Sequence, residues 1–293
     1  MNPQIITGET KIAGIIGNPV KHSISPAIHN HLFRELNLPF AYIPLGVERE
    51  SLENLVTTLR AINSIGANVT IPYKEAVLEY CDEISDLSKL TGTVNTLYFK
   101  ESKLCGTTTD YLGFSEAVAR AGKELALANV VIIGNGGTAR TIAIALANEG
   151  VISSLSIVGR NRERVKKLAN EVIEKTNFPV DISELGDFMT ENILDRCDLL
   201  VNCTPVGMSP NIKNSPIDEK YLHAGMFVFD AIYNPVKTKL LQDAEVLGCK
   251  TENGLAMLLY QGLASFEYWT GIKPKRDLIS PTELLAVVTG EKK

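Results

Sequence analysis

Short apolar runs alternate along this chain with longer segments in which apolar residues recur at helical spacing. Before Val130 the apolar runs predict strands and the intervening segments predict helices. The predicted strands are Ile12–Ile16, Ala41–Leu45, Ala67–Ile71, Val94–Phe99 and Lys103–Gly106. The predicted helices lie near Ala27–Leu36, Ser51–Asn63 and Lys74–Tyr80. Alternation of this kind favours a mostly parallel sheet that is covered by helices.

A second alternating series begins with the apolar run Val130–Ile133. Its other strands are predicted near Leu155, Val180, Leu199, Phe227 and Lys250. This order predicts a second, doubly wound sheet, with a ligand expected in the cleft between two lobes at the carboxyl ends of these strands. Helices are predicted over Ala256–Thr270 and Pro281–Val288, and helices in this position can fold back onto the first domain.

A glycine-rich turn follows the Val130–Ile133 strand and leads into a helix. Gly134 permits the tight turn, Gly136 lets the backbone approach a pyrophosphate, and Ala139 lets the helix pack closely on the strand. The free amides at the start of such a helix favour an anion. The strand, turn and helix together therefore predict dinucleotide binding.

The end of the next strand discriminates between the two nicotinamide cofactors. An NAD site usually has Asp or Glu about 20 residues after the glycines, to bind the ribose hydroxyls. This chain has Gly159-Arg160 there, with Arg164 four residues later and Glu163 as the only nearby acid. Because a guanidinium binds phosphate oxygens in a bidentate manner, Arg160 and Arg164 favour NADP over NAD.

Length, charge and cysteine use narrow the class of protein. The 293 residues suffice for about two domains, and a net charge of −5 argues against a nucleic-acid or anionic-membrane surface. The five cysteines are scattered without a C-x-x-C pair, which favours a reducing compartment. No signal peptide is recognised, and no apolar run reaches the roughly 18 residues that span a bilayer. We expect a cytoplasmic protein, and the sequence leaves monomer and homodimer open.

Two residues suit the proton transfer that accompanies reduction of a ketone by a nicotinamide. Lys74 follows a predicted strand, with Pro72 suited to the first turn of a helix. Asp110 lies where another predicted strand enters a helix. An ammonium beside a carboxylate can donate a proton to a developing alkoxide. The alternative is a surface lysine and a helix cap.

The segment Gly17–Asn30 offers hydroxyls that could bind an anion. Ser23 and Ser25 point the same way in an extended chain, so both could contact one carboxylate. Ser25 could also be an N-cap, with Pro26 at the first helical position. His29 and His31 diverge on a helix, so no metal site is expected.

Eight segments taken in order resemble the shikimate dehydrogenases, and this resemblance covers nearly the whole chain. They are Gly17–Asn30, Asn68–Lys74, Gly92–Thr96, Thr109-Asp110, Gly134–Arg140, Asn202–Met208, Asp230–Pro235 and a C-terminal group from Asn253-Gly254-Leu255 through Met257, Gln261, Trp269 and Gly271. Two segments depart from the family pattern. Thr108 replaces the usual Asn before Thr-Asp, and Gly159-Arg160-Asn161 replaces the usual Asn-Arg-Thr.

The resemblance implies an α/β fold with two domains and NADP-linked interconversion of 3-dehydroshikimate and shikimate. Residues 1–113 and 259–293 would form the substrate-binding and catalytic domain, and residues 114–258 a Rossmann-like NADP-binding domain. Lys74 would transfer the proton, paired with Asp110. The implied substrate ligands are Ser23, Ser25 and Tyr233 for the carboxylate, and Thr70, Asn95, Asp110 and Gln261 for the ring hydroxyls. The implied cofactor ligands are Gly134, Gly136, Gly137, Ala139, Arg160, Arg164, Thr204, Met208, Gly254 and Met257.

Two other functions remain open at this point. The chain could be a quinate/shikimate dehydrogenase, a class of enzyme that resembles the shikimate dehydrogenases and often accepts NAD. Such an enzyme would use the same proton-transfer pair, Lys74 and Asp110. A nucleotide-binding regulatory protein could keep the fold without turnover.

Overall fold

A computed structural model of the protein describes residues 6–275 and 278–279. The helix predicted over Pro281–Val288, like both ends of the predicted substrate domain, lies outside these residues. Within the described residues the chain divides into two compact units. One unit combines the chain up to Gly113 with the chain from Leu258 onward, and the other is Phe114–Met257.

The first unit contains a six-stranded sheet of mixed direction. Its strands are β1 Lys11–Gly17, β2 Phe40–Gly46, β3 Gly66–Val69, β4 Glu83–Ile84, β5 Thr96–Lys100 and β6 Lys103–Thr107, in the order β2-β1-β3-β5-β6-β4. β1 runs parallel to β2 and β3, but β5 runs antiparallel to both β3 and β6. β4 again runs parallel to β6. Three of the five pairings are therefore parallel, and the expectation of a mostly parallel sheet fails only where β5 pairs with β3 and β6.

β5 and β6 are antiparallel because a two-residue turn joins them in a hairpin. Glu101 and Ser102 connect the strands with φ of 50° and 66°. Positive φ at both central residues is the geometry whose twist matches a two-stranded hairpin, so the chain reverses without a crossover helix.

The helices of the first unit cover this sheet. They are α1 Ser25–Glu35, α2 Leu52–Ala61 and α3 Asp86–Thr91. The next helix along the chain is α4 Asp110–Arg120, and the second unit begins within it, at Phe114. The helix predicted over Lys74–Tyr80 is instead a turn followed by a short 3₁₀ helix, Ala76–Tyr80. The Lys74 carbonyl accepts a hydrogen bond from the Val94 N–H at 2.8 Å, so it is bonded to a distant segment rather than to a helical turn.

The second unit is a doubly wound parallel sheet, as the sequence predicts. Its strands are β7 Asn129–Ile133, β8 Ser154–Gly159, β9 Val180–Glu184, β10 Leu199–Asn202, β11 Phe227–Asp230 and β12 Lys250–Asn253, in the order β12-β11-β10-β7-β8-β9. Every neighbouring pair is parallel. The helices are α5 Gly137–Glu149, α6 Arg162–Thr176, α7 Phe188–Leu194 and α8 Lys239–Val246, and α9 Gly254–Thr270 follows β12.

The far end of α9 packs on the sheet of the first unit. The Trp269 indole N–H donates to the Leu97 carbonyl on β5 at 2.8 Å. Gly66 on β3 has φ of +146°, and a Cβ there would lie 2.3 Å from the Leu97 oxygen and 2.4 Å from the indole nitrogen. Only glycine admits both the backbone angle and this close approach. Among the described residues, no helix is both long and apolar enough to cross a membrane.

Candidate active site

Lys74 and Asp110 meet in the first unit although 36 residues separate them. The Lys74 Nζ donates to Asp110 Oδ2 at 2.5 Å, and the two side chains are 13% and 6% exposed. The pair is therefore an ion pair largely removed from water, where a charge without its partner would be costly.

Asn95 holds the other oxygen of the Asp110 carboxylate. Asn95 Nδ2 donates to Asp110 Oδ1 at 2.8 Å, while Asn95 Oδ1 accepts from the Thr109 backbone N–H at 2.8 Å. Gln261, on α9, accepts from Asn95 Nδ2 at 3.3 Å through its Oε1. Both Asp110 oxygens thus face donors only, which suits a carboxylate.

Thr108 makes no comparable contribution beside Asp110. Its hydroxyl is buried and has no hydrogen-bond partner in the described part of the chain. The local support of Asp110 therefore comes from Asn95 and Lys74.

The segment Gly17–Asn30, which contains Ser23 and Ser25, and the segment Thr70–Lys74 follow two neighbouring strands of the sheet. The Thr70 N–H donates to the Ile16 carbonyl at 2.8 Å, and a Cβ on Gly17 would lie 2.5 Å from the Thr70 methyl. The Asn18 N–H donates to the Ile71 carbonyl at 3.1 Å. Because β1 and β3 are parallel neighbours, both segments extend from the same edge of the sheet.

Ser23 and Ser25 lie together at the start of α1. The Ser25 N–H donates to Ser23 Oγ at 3.3 Å, and Ser25 is almost fully buried. The reading of Ser25 as an N-cap is wrong, because Ile24 occupies that position and its carbonyl accepts from the Ala27 N–H at 2.9 Å. Burial raises the pKa of the neighbouring Tyr42 phenol, and the Ser25 hydroxyl beside it offsets part of that increase.

The glycine turn of the second unit has the geometry that a dinucleotide site needs. Gly134 has φ of +116°, and a Cβ there would lie 3.1 Å from the Thr204 methyl. Gly136 precedes α5 and has open space where a Cβ would stand. Gly137 begins the helix and Ala139 is fully buried in it. The space beside Gly136 leaves the first amides of α5 accessible to a phosphate.

Arg160 lines a pocket at the end of β8. The other lining residues are Pro205, Val206, Met208, Ser209, Pro210, Asn211 and Asn214. Asn161 caps α6, because its Oδ1 accepts from the Arg164 N–H at 3.0 Å. Arg162 pairs with Asp187 at 3.0 Å, whereas Arg160 and Arg164 are exposed beside the start of α6. Asn161, which stands where the family usually has Thr, therefore caps α6, and Arg160 remains beside the start of this helix.

A buried carboxylate fastens two loops of the second unit. Asn202 Oδ1 accepts from the Thr204 hydroxyl at 2.8 Å, and Asn202 Nδ2 donates to Asp230 Oδ1 at 3.0 Å. Asp230 also accepts from the Thr238 hydroxyl at 2.6 Å, and burial raises its pKa to about 6. Asp230 thereby connects two loops. It binds Thr238, which ends the loop containing Tyr233, and through Asn202 it holds the loop containing Thr204. Burial also raises the pKa of Tyr233.

Gly254 and Met257 begin α9 close to the Tyr233 loop. A Cβ on Gly254 would lie 2.1 Å from the Ala231 carbonyl oxygen, and the Gly254 N–H donates to the Ile232 carbonyl at 3.1 Å. Met257 is buried and Met208 is 46% exposed. No larger residue than glycine fits this crossing of backbones.

Sequence reasoning missed the buried polar side chains behind Asp110. Asn68 on β3, Thr96 on β5 and Ser265 on α9 are all nearly inaccessible and hydrogen-bonded to one another. The sequence signal that could have identified them is that each is a polar residue within a predicted strand or helix that is otherwise mostly apolar.

Family models and known proteins match the chain along most of its length. Residues 15–97 match the shikimate dehydrogenase substrate binding domain, residues 116–241 match shikimate / quinate 5-dehydrogenase, and residues 254–279 match the shikimate 5'-dehydrogenase C-terminal domain. The NADP(+) shikimate dehydrogenase of Methanothermobacter thermautotrophicus is 39% identical over 276 residues, which is 94% of this chain and 96% of that protein.

Two crystal structures of shikimate dehydrogenases share the fold. One, in complex with NADP+, has a TM-score of 0.91 at 36% identity and covers 97% of this chain and 98% of its own. The other, from Listeria monocytogenes in complex with shikimate and NAD, has a TM-score of 0.89 at 33% identity and covers 97% and 99%. With this identity over nearly the full length, the chain belongs to the shikimate dehydrogenase family.

Proposed function

We propose that this protein is an NADP-dependent shikimate dehydrogenase that interconverts 3-dehydroshikimate and shikimate in aromatic amino-acid biosynthesis. The observation that carries the proposal is the buried contact of 2.5 Å between Lys74 and Asp110, with Asn95 on the second carboxylate oxygen. Relatives that match nearly the whole chain at 38–39% identity are named shikimate dehydrogenase (NADP(+)), which supports the proposal.

The lysine ammonium is the group that handles the proton. When bound, NADPH supplies the hydride that reduces the ketone carbon. Lys74 donates a proton to the oxygen that becomes the alcohol, and in the reverse direction it takes that proton back. Asp110 stays within hydrogen-bond distance of Lys74, so it holds the ammonium in place and stabilises its charge.

The remaining substrate ligands follow from the resemblance and from their position at the strand ends. Ser23 and Ser25 bind the substrate carboxylate, because hydroxyls donate well to an anion. Thr70, Asn95, Asp110 and Gln261 bind the ring hydroxyls. Tyr233, in the second unit, is proposed as a further ligand of the carboxylate.

The second unit binds the cofactor in this proposal. Gly134, Gly136, Gly137 and Ala139 shape the turn that receives the pyrophosphate. Arg160 and Arg164 bind the 2′-phosphate. The ribose and nicotinamide lie against Thr204, Met208, Gly254 and Met257.

Arg160→Ala is expected to raise KM for NADP by roughly 10- to 100-fold and to change KM for NAD far less. Only NADP carries the extra phosphate, and a hydrogen bond to a charged group contributes about 1.5–3 kcal/mol. Steady-state kinetics with both cofactors measure the difference. Arg162→Ala is the matched control, since Arg162 is paired with Asp187. Equal losses with both cofactors would contradict the role of Arg160.

The function itself is tested by comparing shikimate and quinate with NADP and NAD. We expect the highest kcat/KM for shikimate with NADP. A higher value for quinate with NAD would favour a quinate dehydrogenase, a reading kept open by the shikimate / quinate description of residues 116–241. Absence of turnover with all four combinations would favour a binding protein.

The compartment is inferred from the thiols. None of the five cysteines forms a disulfide in the described part of the chain, and burial raises the pKa of Cys81 and of Cys197 to about 12. Thiols without disulfide partners suit a reducing compartment, so we infer a cytoplasmic enzyme. Monomer and homodimer remain alternatives that sedimentation would separate.

A further inference from the structure

The orientation of the Asn95 amide is fixed by chemistry. The Thr109 backbone N–H can only donate, and it lies 2.8 Å from one atom of the Asn95 side chain, which must be the oxygen. The nitrogen therefore faces Asp110 Oδ1 at 2.8 Å. Any group that stabilises this orientation also stabilises the Asp110 carboxylate.

Thr96 reaches the same oxygen of Asn95 from the other side. Thr96 Oγ1 lies 2.8 Å from Asn95 Oδ1, and an amide oxygen only accepts, so the single Thr96 proton is donated there. Ser265 Oγ lies 2.8 Å from Thr96 Oγ1. Because the Thr96 proton is already used, Ser265 is the donor in that contact, and it shares its single proton with the Gln261 carbonyl at 3.0 Å.

The same reasoning extends the series of donors to the protein's interior. Asn68 Nδ2 donates to Ser265 Oγ at 2.9 Å, and Asn68 Oδ1 accepts from the Tyr42 hydroxyl at 2.8 Å. From Tyr42 to Asn95, every contact of the series can be formed with its donor on the side away from Asp110. A low-dielectric interior strengthens such a series and penalises its interruption.

Thr96 and Ser265 are fully buried, so neither can touch a substrate. Whatever Thr96 contributes to the reaction passes through the Asn95 side chain, to which its hydroxyl donates. We propose that Thr96, supported by Ser265, is a positioning residue that orients Asn95 and through it the Asp110 carboxylate for proton transfer. This inference rests on the proposed function, because it assumes that Lys74 and Asp110 transfer the proton.

Thr96→Val tests the inference, because valine keeps the shape and removes the hydroxyl. We expect kcat for shikimate oxidation to fall about 10-fold, which corresponds to the net worth of about one hydrogen bond, with KM for shikimate changed less than about 3-fold. Thr96→Ser, which restores the hydroxyl, should return kcat to within about 2-fold of the wild type.

Thr91→Val is the matched control for the loss of a buried hydroxyl. Thr91 is fully buried in the same unit and bonds the Leu87 carbonyl at 2.9 Å and the Thr93 hydroxyl at 3.0 Å, outside the series. We expect it to lose thermal stability like Thr96→Val while keeping wild-type kcat. If Thr96→Val does not fold, Ser265→Ala carries the same test with an expected loss of roughly 3-fold in kcat.

The outcomes separate this inference from the proposed function. An active wild type whose Thr96→Val variant keeps full kcat, or loses no more than Thr91→Val, overturns the positioning role alone. A wild type without shikimate oxidation overturns both. A loss of kcat at Thr96 that serine rescues and Thr91→Val does not share supports the inference.

Discussion

Lys74→Met is expected to lower kcat for shikimate oxidation by about 100-fold or more, with only a modest change in KM for shikimate. The variant keeps most of the aliphatic stem but removes the group that donates and accepts the proton, and a positioned acid or base typically contributes about 10²–10⁴-fold. Initial rates with saturating NADP and varied shikimate measure both constants. A variant that retains wild-type turnover would end the assignment of Lys74.

Stability has to be separated from catalysis in this experiment. Lys74→Met leaves the Asp110 carboxylate buried without its cation, and breaking a buried pair in this way costs about 3–5 kcal/mol. We expect the double variant Lys74→Met with Asp110→Asn to recover much of the lost stability but none of the lost kcat. Thermal unfolding of the two variants beside their kinetics distinguishes an unfolded enzyme from one without a proton donor. Lys89→Ala, an exposed lysine beside Asp86, controls for removal of a positive charge.

The two units differ in how well the sequence predicted them. In the second unit the four central strands, β7, β8, β10 and β11, are mostly buried and apolar, whereas the edge strands β9 and β12 are more polar and more exposed. A parallel doubly wound sheet follows from such central runs alternating with helices. In the first unit the direction of β5 and β6 depends on two residues, Glu101 and Ser102. Neither residue type favours positive φ, so the sequence carries no strong signal for the hairpin.

Local signals also gave way to distant contacts at two functional segments. Lys74 follows a proline suited to a helix start, but its carbonyl bonds to Val94, twenty positions away in the sequence. Ser25 is a favourable N-cap residue, but its hydroxyl lies beside Tyr42 and the helix begins after Ile24. In both cases a tertiary contact outweighed a local preference of about 1 kcal/mol.

The residues at the strand ends could be identified from the sequence, but the polar residues behind them could not. Lys74 and Asp110 stand out because each follows a predicted strand, where α/β proteins usually place their ligands. Asn68 and Ser265 bond to each other across 197 residues, and hydrophobic periodicity counts each of them only as a polar position. Their role becomes visible when α9 is packed on the sheet.

His29 would be the usual candidate for an acid or base, but its surroundings exclude that role. The ring is fully buried, is stacked on Tyr42 at 4.5 Å between centroids and lies 4.9 Å from the Trp269 ring. Neither ring nitrogen makes a hydrogen bond of ordinary geometry among the described residues, although the nearby Asn68 amide raises its pKa slightly. Burial dominates and lowers the pKa of His29 to about 3, so the imidazole is neutral at physiological pH.

This neutral imidazole is expected to make the protein lose stability in mild acid. In the unfolded chain a histidine takes up a proton below about pH 6.5, whereas in the folded protein His29 does so only near pH 3. The contribution of the neutral His29 to the free energy of unfolding is therefore fully present above pH 6.5 and is lost as the pH falls towards 3. At about 1.4 kcal/mol per pH unit the loss reaches roughly 2 kcal/mol at pH 5 and roughly 4 kcal/mol at pH 3, where His29 is half protonated in the folded protein.

His29→Met removes the titrating group and fills the space with a flexible apolar side chain. Between pH 7 and pH 5 we expect the free energy of unfolding to fall by roughly 2 kcal/mol more in the wild type than in this variant. Urea denaturation at both pH values measures the difference, because the other titrating groups are common to the two proteins and cancel. Parallel pH dependences would contradict the prediction, because they would mean that His29 takes up its proton at the same pH in the folded protein as in the unfolded chain. The aromatic pocket around it would then have to accommodate a charge at pH 5.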